Sequence, residues 1–219
     1  MTIMDEATKE KVLEAMEVMT GPVHILLFTD DEGCPLCGET QKIVEEVSEL
    51  SGKLTHETIK IKENEEIAKK FGVDRTPAIL VMKGTPDEYK YLGVRFFGIP
   101  AGYEFTSLLD SVLTASRGET AISDEAKKYL KELEKDVHLQ VFVTPTCPYC
   151  PRAVVLAHHM AMESDRVVAD MVEATEFPEL SQKYNVMGVP RTVINEDLHQ
   201  EGAAPERMIM DLVKKAVQG

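Results

Sequence analysis

The residues whose type and spacing could do chemistry are four cysteines, Cys34, Cys37, Cys147 and Cys150, which form two Cys-x-x-Cys pairs with none left over. Such pairs serve as disulfide staples, metal ligands or redox-active thiols. A chain of 219 residues can bury a core without staples, which weakens the first use. A bridge across three residues also constrains little unfolded chain, so it adds little stability. Zinc ribbons usually separate their pairs by ~15–20 residues. Here 109 residues lie between Cys37 and Cys147. That distance alone does not forbid a shared metal site, so the context of each pair has to decide.

The context is a repeat. Displaced by 113 positions, Cys34 falls on Cys147, Cys37 on Cys150 and Pro35 on Pro148. Some 40 residues later and still in register, Phe71 falls on Tyr184, Val73 on Val186 and Pro77 on Pro190. The register then slips, because Lys83-Gly-Thr-Pro-Asp-Glu-Tyr-Lys lengthens the first copy, and a shorter displacement brings Gly98-Ile-Pro onto Gly202-Ala-Ala-Pro.

The elements that must position the cysteines follow from periodicity. In the first copy a helix is expected over Glu6–Met19, an apolar strand over His24–Thr29, and a helix from the Cys34 pair to about Leu50, with Val44, Val47 and Leu50 on one face. Thr55–Lys62 alternates like a strand, and Glu63–Phe71 reads as a short helix closed by Gly72. Strands Ala78–Met82 and Lys90–Phe97 then flank a turn at Gly84–Asp87, before a helix over Tyr103–Ser116. The second copy repeats this with helix Asp124–Lys135, strand Val137–Val143, helix Pro148–Met162, strand Val167–Val172, helix Phe177–Tyr184, a hairpin of Arg191–Ile194 with Leu198–Glu201, and helix Pro205–Val217. The fold class is therefore α/β: two tandem thioredoxin-like units, 1–117 and 118–219, each a central mixed sheet flanked by helices, with a Cys-x-x-Cys at its first strand-to-helix turn.

Three segments of the second copy, Val141-Phe-Val-Thr-Pro-Thr-Cys-Pro-Tyr-Cys-Pro, Asp170-Met-Val-Glu-Ala and Tyr184-Asn-Val-Met-Gly-Val-Pro, carry a resemblance. Val94-Arg-Phe-Phe-Gly-Ile-Pro-Ala-Gly and Asp74-Arg-Thr-Pro in the first copy agree with them. Over nearly its whole length the chain resembles the glutaredoxin-like protein disulfide oxidoreductases of thermophilic archaea and bacteria. The resemblance implies two thioredoxin-fold units that reduce, form or isomerise protein disulfides. It implies an intracellular setting and service by a thioredoxin-reductase-like flavoprotein. It gives the redox roles to Cys34 with Cys37 and to Cys147 with Cys150, and matches Pro77 and Pro190 to cis-prolines. The residues before them, Thr76 and Val189, would then turn their backbone toward the cysteine pair, where an extended substrate strand could pair.

The thiolate is the nucleophile, and a free cysteine has a pKa of ~8.5. A pair at a helix start gains from exposed backbone N–H groups and the helix dipole, with Pro148 expected in the first helical position. Cys34 and Cys147 are the expected attacking thiols. Cys37 and Cys150, one turn later, are the expected resolving ones. Asp30-Asp31-Glu32 and Glu39 surround the first pair, whereas Thr144, Pro145, Thr146 and Arg152 surround the second. Cys147 is therefore the expected stronger nucleophile, tuned by Arg152. His158 and His159 read as helix surface or partial core. The methionines read mostly as core, with Met187 beside Val189 able to line an apolar groove.

Composition bounds the partners. Lys plus Arg total 24 and Asp plus Glu 38, a net charge of −14 spread over both copies, which disfavours nucleic acid as a partner. No apolar run approaches the ~20 residues that span a bilayer. The first residues lack the apolar core of a secretory signal, so the expected location is the cytoplasm. The expected partners are disulfide-containing proteins and a flavoprotein reductase. No metal and no cofactor beyond the redox-active disulfides is expected. Two alternative functions stand beside this one. Cys147-Pro-Tyr-Cys150 also suits a glutathione-dependent glutaredoxin, although Glu201-Gly-Ala-Ala-Pro stands where such proteins carry a Gly-Gly turn and acidic pair. A cysteine-ligated metal or iron–sulfur carrier is the other.

Overall fold

A computed structural model describes residues 3–218. The first copy comprises α1 (Glu6–Met16), β1 (Val23–Thr29), α2 (Cys37–Ser48), β2 (Leu54–Lys60), α3 (Glu65–Lys70), β3 (Ala78–Gly84), β4 (Tyr89–Phe97) and α4 (Phe105–Arg117). The second comprises α5 (Asp124–Lys131), β5 (Val137–Val143), α6 (Cys150–Met162), β6 (Val167–Glu173), α7 (Pro178–Lys183), β7 (Arg191–Ile194), β8 (Leu198–Glu201) and α8 (Glu206–Gln218). Local chemistry sets several ends. The side chains of Asp5 and Ser123 accept the Thr8 and Ala126 N–H groups and start α1 and α5. Gly118, at φ +75°, closes α4 in the left-handed region.

The strands alternate faces. Ile25 and Leu27 of β1 pack into a large core beneath α1, α2, α4, α5, α6 and α8, while Leu26 and Phe28 face a smaller core beneath α3. In the second copy Phe142, Val172 and Val193 do the same beneath α7, joined by Tyr184. The two four-stranded halves merge into one sheet of order β2-β1-β3-β4-β6-β5-β7-β8. The seam is a parallel pairing of β4 with β6, from Val94 opposite Ala169 to Phe97 opposite Val172. The residues paired across the seam, Val94–Phe97 and Ala169–Val172, are all buried, as parallel strands require.

A buried ion pair pins that seam. The Arg95 guanidinium donates to both Asp170 carboxylate oxygens, at 2.6 and 2.9 Å, and to the Phe71 and Gly72 carbonyls, at 2.9 and 2.8 Å. His138 lies 2.6 Å from the same carboxylate. Burial alone would raise the Asp170 pKa, but Arg95 and His138 outweigh it and hold the carboxyl below its ordinary value. Between α4 and α6, His158 and His159 are both buried rather than on a helix surface. His158 Nδ1 meets Ser111 Oγ at 3.0 Å, and His159 Nε2 meets Asp110 at 2.8 Å. Burial pushes the His158 pKa down to about 4.

Strand directions place the redox pairs. β1 runs antiparallel to β3, β3 antiparallel to β4, β4 parallel to β6 and β6 parallel to β5. β1 and β5 therefore run the same way, and both Cys-x-x-Cys motifs follow at the same edge of one sheet. At ~4.8 Å per strand, the four steps from β1 to β5 put them roughly 19 Å apart. The two pairs do not converge on one site.

Candidate redox sites

At the first site Cys34 is joined to Cys37, with the Cα atoms 5.4 Å apart. Cys34 is half-buried and Cys37 buried. The Asp30 N–H points at Cys37 Sγ from 3.4 Å. At the second site Cys147 is joined to Cys150, with the Cα atoms 5.5 Å apart. Cys147 retains 8% exposure and Cys150 none. In each pair the earlier cysteine is the more accessible. The Thr76–Pro77 and Val189–Pro190 bonds are both cis. Cys147 Sγ lies 3.8 Å from the Val189 carbonyl oxygen, so the residue before this proline faces the sulfur. The two copies hold their prolines alike, since Gly98 N–H donates to the Pro77 carbonyl and Gly202 N–H to that of Pro190.

The helices begin later than the sequence suggests. Pro148 does not hold the first helical position, because α6 begins at Cys150 and Pro151 occupies its first turn. Pro151 has no N–H to bond the Cys147 carbonyl, so the i→i−4 ladder cannot include Pro148. Cys147 instead closes a tight turn through its N–H to the Thr144 carbonyl, at 3.1 Å. At the first site Cys37 N–H takes the Cys34 carbonyl in the same kind of i→i−3 turn, and α2 begins at Cys37. Cys34 and Cys147 thus precede their helices rather than open them.

Electrostatics at the sites are more balanced than the local sequence implies. Lys62, just past β2, lies 3.2 Å from Asp30 and 3.4 Å from Glu32, and Lys60 pairs with Asp31. The acids before Cys34 are therefore offset by two cations. Asp30 is held below its ordinary pKa, mainly by the Glu32 backbone N–H with help from Lys62. Arg152 is exposed and makes no ion pair among the described residues. Met187 is 83% exposed and Tyr149, between the second pair of cysteines, 71%. A groove beside the first site is lined by Pro35, Leu36, Arg75 and Thr76 of the first copy and by Glu176 and Phe177 of the second.

One carboxyl escaped the sequence reading. Glu104 is 1% exposed and sits in a 3-10 turn, Gly102–Glu104, that packs against α6. Ser107 donates to one of its oxygens at 2.6 Å, and the other has no partner among the described residues. Burial pushes its pKa up to about 7, against the pull of Ser107. A lone acid in the run Phe96-Phe-Gly-Ile-Pro-Ala-Gly-Tyr-Glu-Phe was the available signal.

A mixed sheet with a Cys-x-x-Cys at the turn after its first strand, here present twice, is the arrangement of a thioredoxin-fold redox protein. The thioredoxin domain profile matches residues 22–108 and again 137–214. The chain belongs to the thioredoxin domain family. Across the whole chain it is 32% identical to a protein disulfide oxidoreductase of Aeropyrum pernix, covering 96% of that chain with a TM-score of 0.91. It is similar to the alkylhydroperoxide reductase AhpF of Enterococcus faecalis, at 26% identity over 95% of this chain and 98% of that one, with a TM-score of 0.88. It is also 27% identical over 209 residues to the corresponding alkyl hydroperoxide reductase of Staphylococcus aureus, a match that covers 94% of this chain. The chain spans 36% of the length of that relative.

Proposed function

We propose that the chain is a protein thiol–disulfide oxidoreductase that reduces, forms or isomerises protein disulfides through both Cys-x-x-Cys sites. The observation that carries this reading is the Cys-x-x-Cys pair joined as a disulfide after the first strand of each unit, with Cys147 Sγ 3.8 Å from the Val189 carbonyl. In the reducing direction the Cys147 thiolate attacks one sulfur of a substrate disulfide. A mixed disulfide forms, the substrate S–S bond breaks, and the departing sulfur leaves as a thiolate that takes up a proton. Cys150, deprotonated, then attacks the Cys147 sulfur. The Cys147–Cys150 bond forms and the second substrate thiolate leaves, so two electrons and two protons have passed to the substrate. Cys34 and Cys37 take the same roles, and the reverse sequence forms disulfides. The greater exposure of Cys34 and Cys147 supports their role as attackers. The backbone at Thr76–Pro77 and Val189–Pro190 would hold an extended substrate strand.

The reading extends to its setting. The unit boundary falls at 117/118, the location is the cytoplasm, and electrons come from a thioredoxin-reductase-like flavoprotein. Support for that donor is the similarity to the alkyl hydroperoxide reductase of Staphylococcus aureus, a longer protein named as a reductase. Among the described residues no helix is long and apolar enough to cross a membrane. The redox groups are the two disulfides, with no further cofactor. The test is insulin-disulfide reduction driven by dithiothreitol, with the four-serine variant of Cys34, Cys37, Cys147 and Cys150 beside the wild type. Loss of turnover in the variant is expected, and retained turnover refutes the assignment. A rate that instead requires glutathione transfers the protein to the glutaredoxin class.

A further inference from the structure

The two redox loops are held by different means. Before Cys34, the loop Asp30–Glu32 is tied by Lys60 and Lys62, side chains of its own unit in exposed ion pairs. Before Cys147 the equivalent loop is Thr144–Thr146, and its hold comes from the other unit. Tyr103 N–H donates to the Pro145 carbonyl at 3.0 Å. Gly102, at φ +59°, presses so close that a Cβ there would stand 2.3 Å from the Pro145 oxygen and 3.0 Å from its carbonyl carbon. That contact is backbone against backbone, and no side-chain rotation relieves it.

The repeat shows that this contact is not a general property of the unit. The loop that leaves β4 at Gly98 reaches the second unit twice, since a Cβ at Gly98 would stand 2.6 Å from Glu173 Cβ and Ile99 N–H donates to Glu176 at 2.6 Å. Its counterpart leaves β8 at Gly202 with φ +75°, and a Cβ there would meet nothing within 4 Å. The first unit's loop thus bears on the redox loop of the other unit, whereas the second unit's loop bonds through Gly202 N–H to the Pro190 carbonyl of its own unit and has open space at Gly202.

From this asymmetry we infer that Gly102 and the Tyr103 N–H are positioning elements for Cys147, so that the first unit sets the reactivity of the second unit's attacking thiol. The chain of contact is short. Pro145 lies two residues before Cys147, the Cys147 N–H is bonded to the Thr144 carbonyl at 3.1 Å, and the sulfur sits 3.8 Å from the Val189 carbonyl. A shift of a few tenths of an ångström at Pro145 therefore moves the sulfur relative to the backbone dipoles that favour or oppose its anion. The inference rests on the oxidoreductase reading for its biological meaning, but not for its test.

The experiment is iodoacetamide alkylation across pH, in full-length chains that keep only Cys147 or only Cys34, with and without Gly102→Ala. It needs no protein substrate, so it stands whether or not insulin reduction is observed. The Cys147 alkylation midpoint is expected to move by at least about 0.5 pH unit, about threefold in thiolate fraction below the midpoint. The Cys34 midpoint is expected to stay in place. A folded Gly102→Ala chain with an unmoved Cys147 midpoint, or with equal shifts at both cysteines, overturns the inference. If Gly102→Ala fails to fold, Tyr103→Pro and Tyr103→Ala replace it. Both lose the ring, but only proline loses the N–H and sets a ring carbon against the Pro145 carbonyl. Proline is then expected to shift the Cys147 midpoint and alanine to leave it. Equal behaviour of the two, or failure of both Gly102→Ala and Tyr103→Pro to fold, makes the loop a folding element and refutes the positioning role.

Discussion

Replacing Glu104 with glutamine is expected to change how stability depends on pH, in a way that can be worked out from two buried groups. Burial raises Glu104 from an ordinary 4.5 to about 7 and lowers His158 from 6.5 to about 4. Between pH 4.5 and 7 the folded chain keeps the Glu104 proton that the unfolded chain releases, so this group makes stability fall as pH rises. Between pH 4 and 6.5 the unfolded chain binds a proton at His158 that the folded chain does not, so this group makes stability rise with pH. Each slope is about 1.4 kcal/mol per pH unit, and over the shared window they oppose each other. In Glu104→Gln the glutamine oxygen still accepts from Ser107, but the titration is gone. The His158 slope is then uncovered, and stability is expected to climb by about 3 kcal/mol from pH 4.5 to 6.5 relative to the wild-type profile. Guanidinium unfolding of the oxidised protein, followed by far-ultraviolet circular dichroism at half-unit pH steps, measures the difference directly. Parallel profiles for the wild type and Glu104→Gln would show that Glu104 does not hold its proton in the folded state and would refute the reasoning.

Four further outcomes are expected. Pro190→Ala alters the residue that follows Val189, whose carbonyl lies 3.8 Å from Cys147 Sγ, and should slow insulin reduction while the Cys147–Cys150 pair still oxidises; wild-type kinetics would take the proline out of the mechanism. Lys62→Ala leaves Asp30 and Glu32 without their cation, so Cys34 alkylation at neutral pH should slow, with the effect fading toward ~1 M salt where the screening length is about 3 Å; a salt-independent effect would point to packing instead. In the wild type Cys147 should still alkylate faster than Cys34 at neutral pH, and the reverse order would overturn the ranking of the sites. Asp170→Asn strands the buried Arg95 charge and should cost about 3–5 kcal/mol in denaturant titration, whereas a loss below about 1 kcal/mol would mean that water reaches the guanidinium.

The chain's redox character was legible in its sequence because the relevant signals are local. Two Cys-x-x-Cys pairs, two prolines at a matched distance and two apolar strands before the pairs need only short-range sterics and periodicity to be read. Strands Val137–Val143, Arg191–Ile194 and Leu198–Glu201 have the same bounds in the structure as in the sequence reading. The late start of α6 is also local, although it turns on Pro151 rather than on Pro148. What the tertiary structure alone decided is how the copies meet. No periodicity tells β4 to pair with β6 rather than remain an edge, because both strands carry the apolar pattern of any buried strand. The burial of Glu104 follows from the same docking, since its turn packs against α6 of the other copy. The Arg95–Asp170 pair, the cations Lys60 and Lys62 beside Asp30–Glu32, and the contact of Gly102 with Pro145 all join residues at least 29 positions apart, the shortest span being that of Lys60 and Asp31. Charge near a cysteine in sequence is therefore a poor guide to the field at its sulfur, because Coulomb interactions and steric contact depend on distance in space, which only the packed sheet sets.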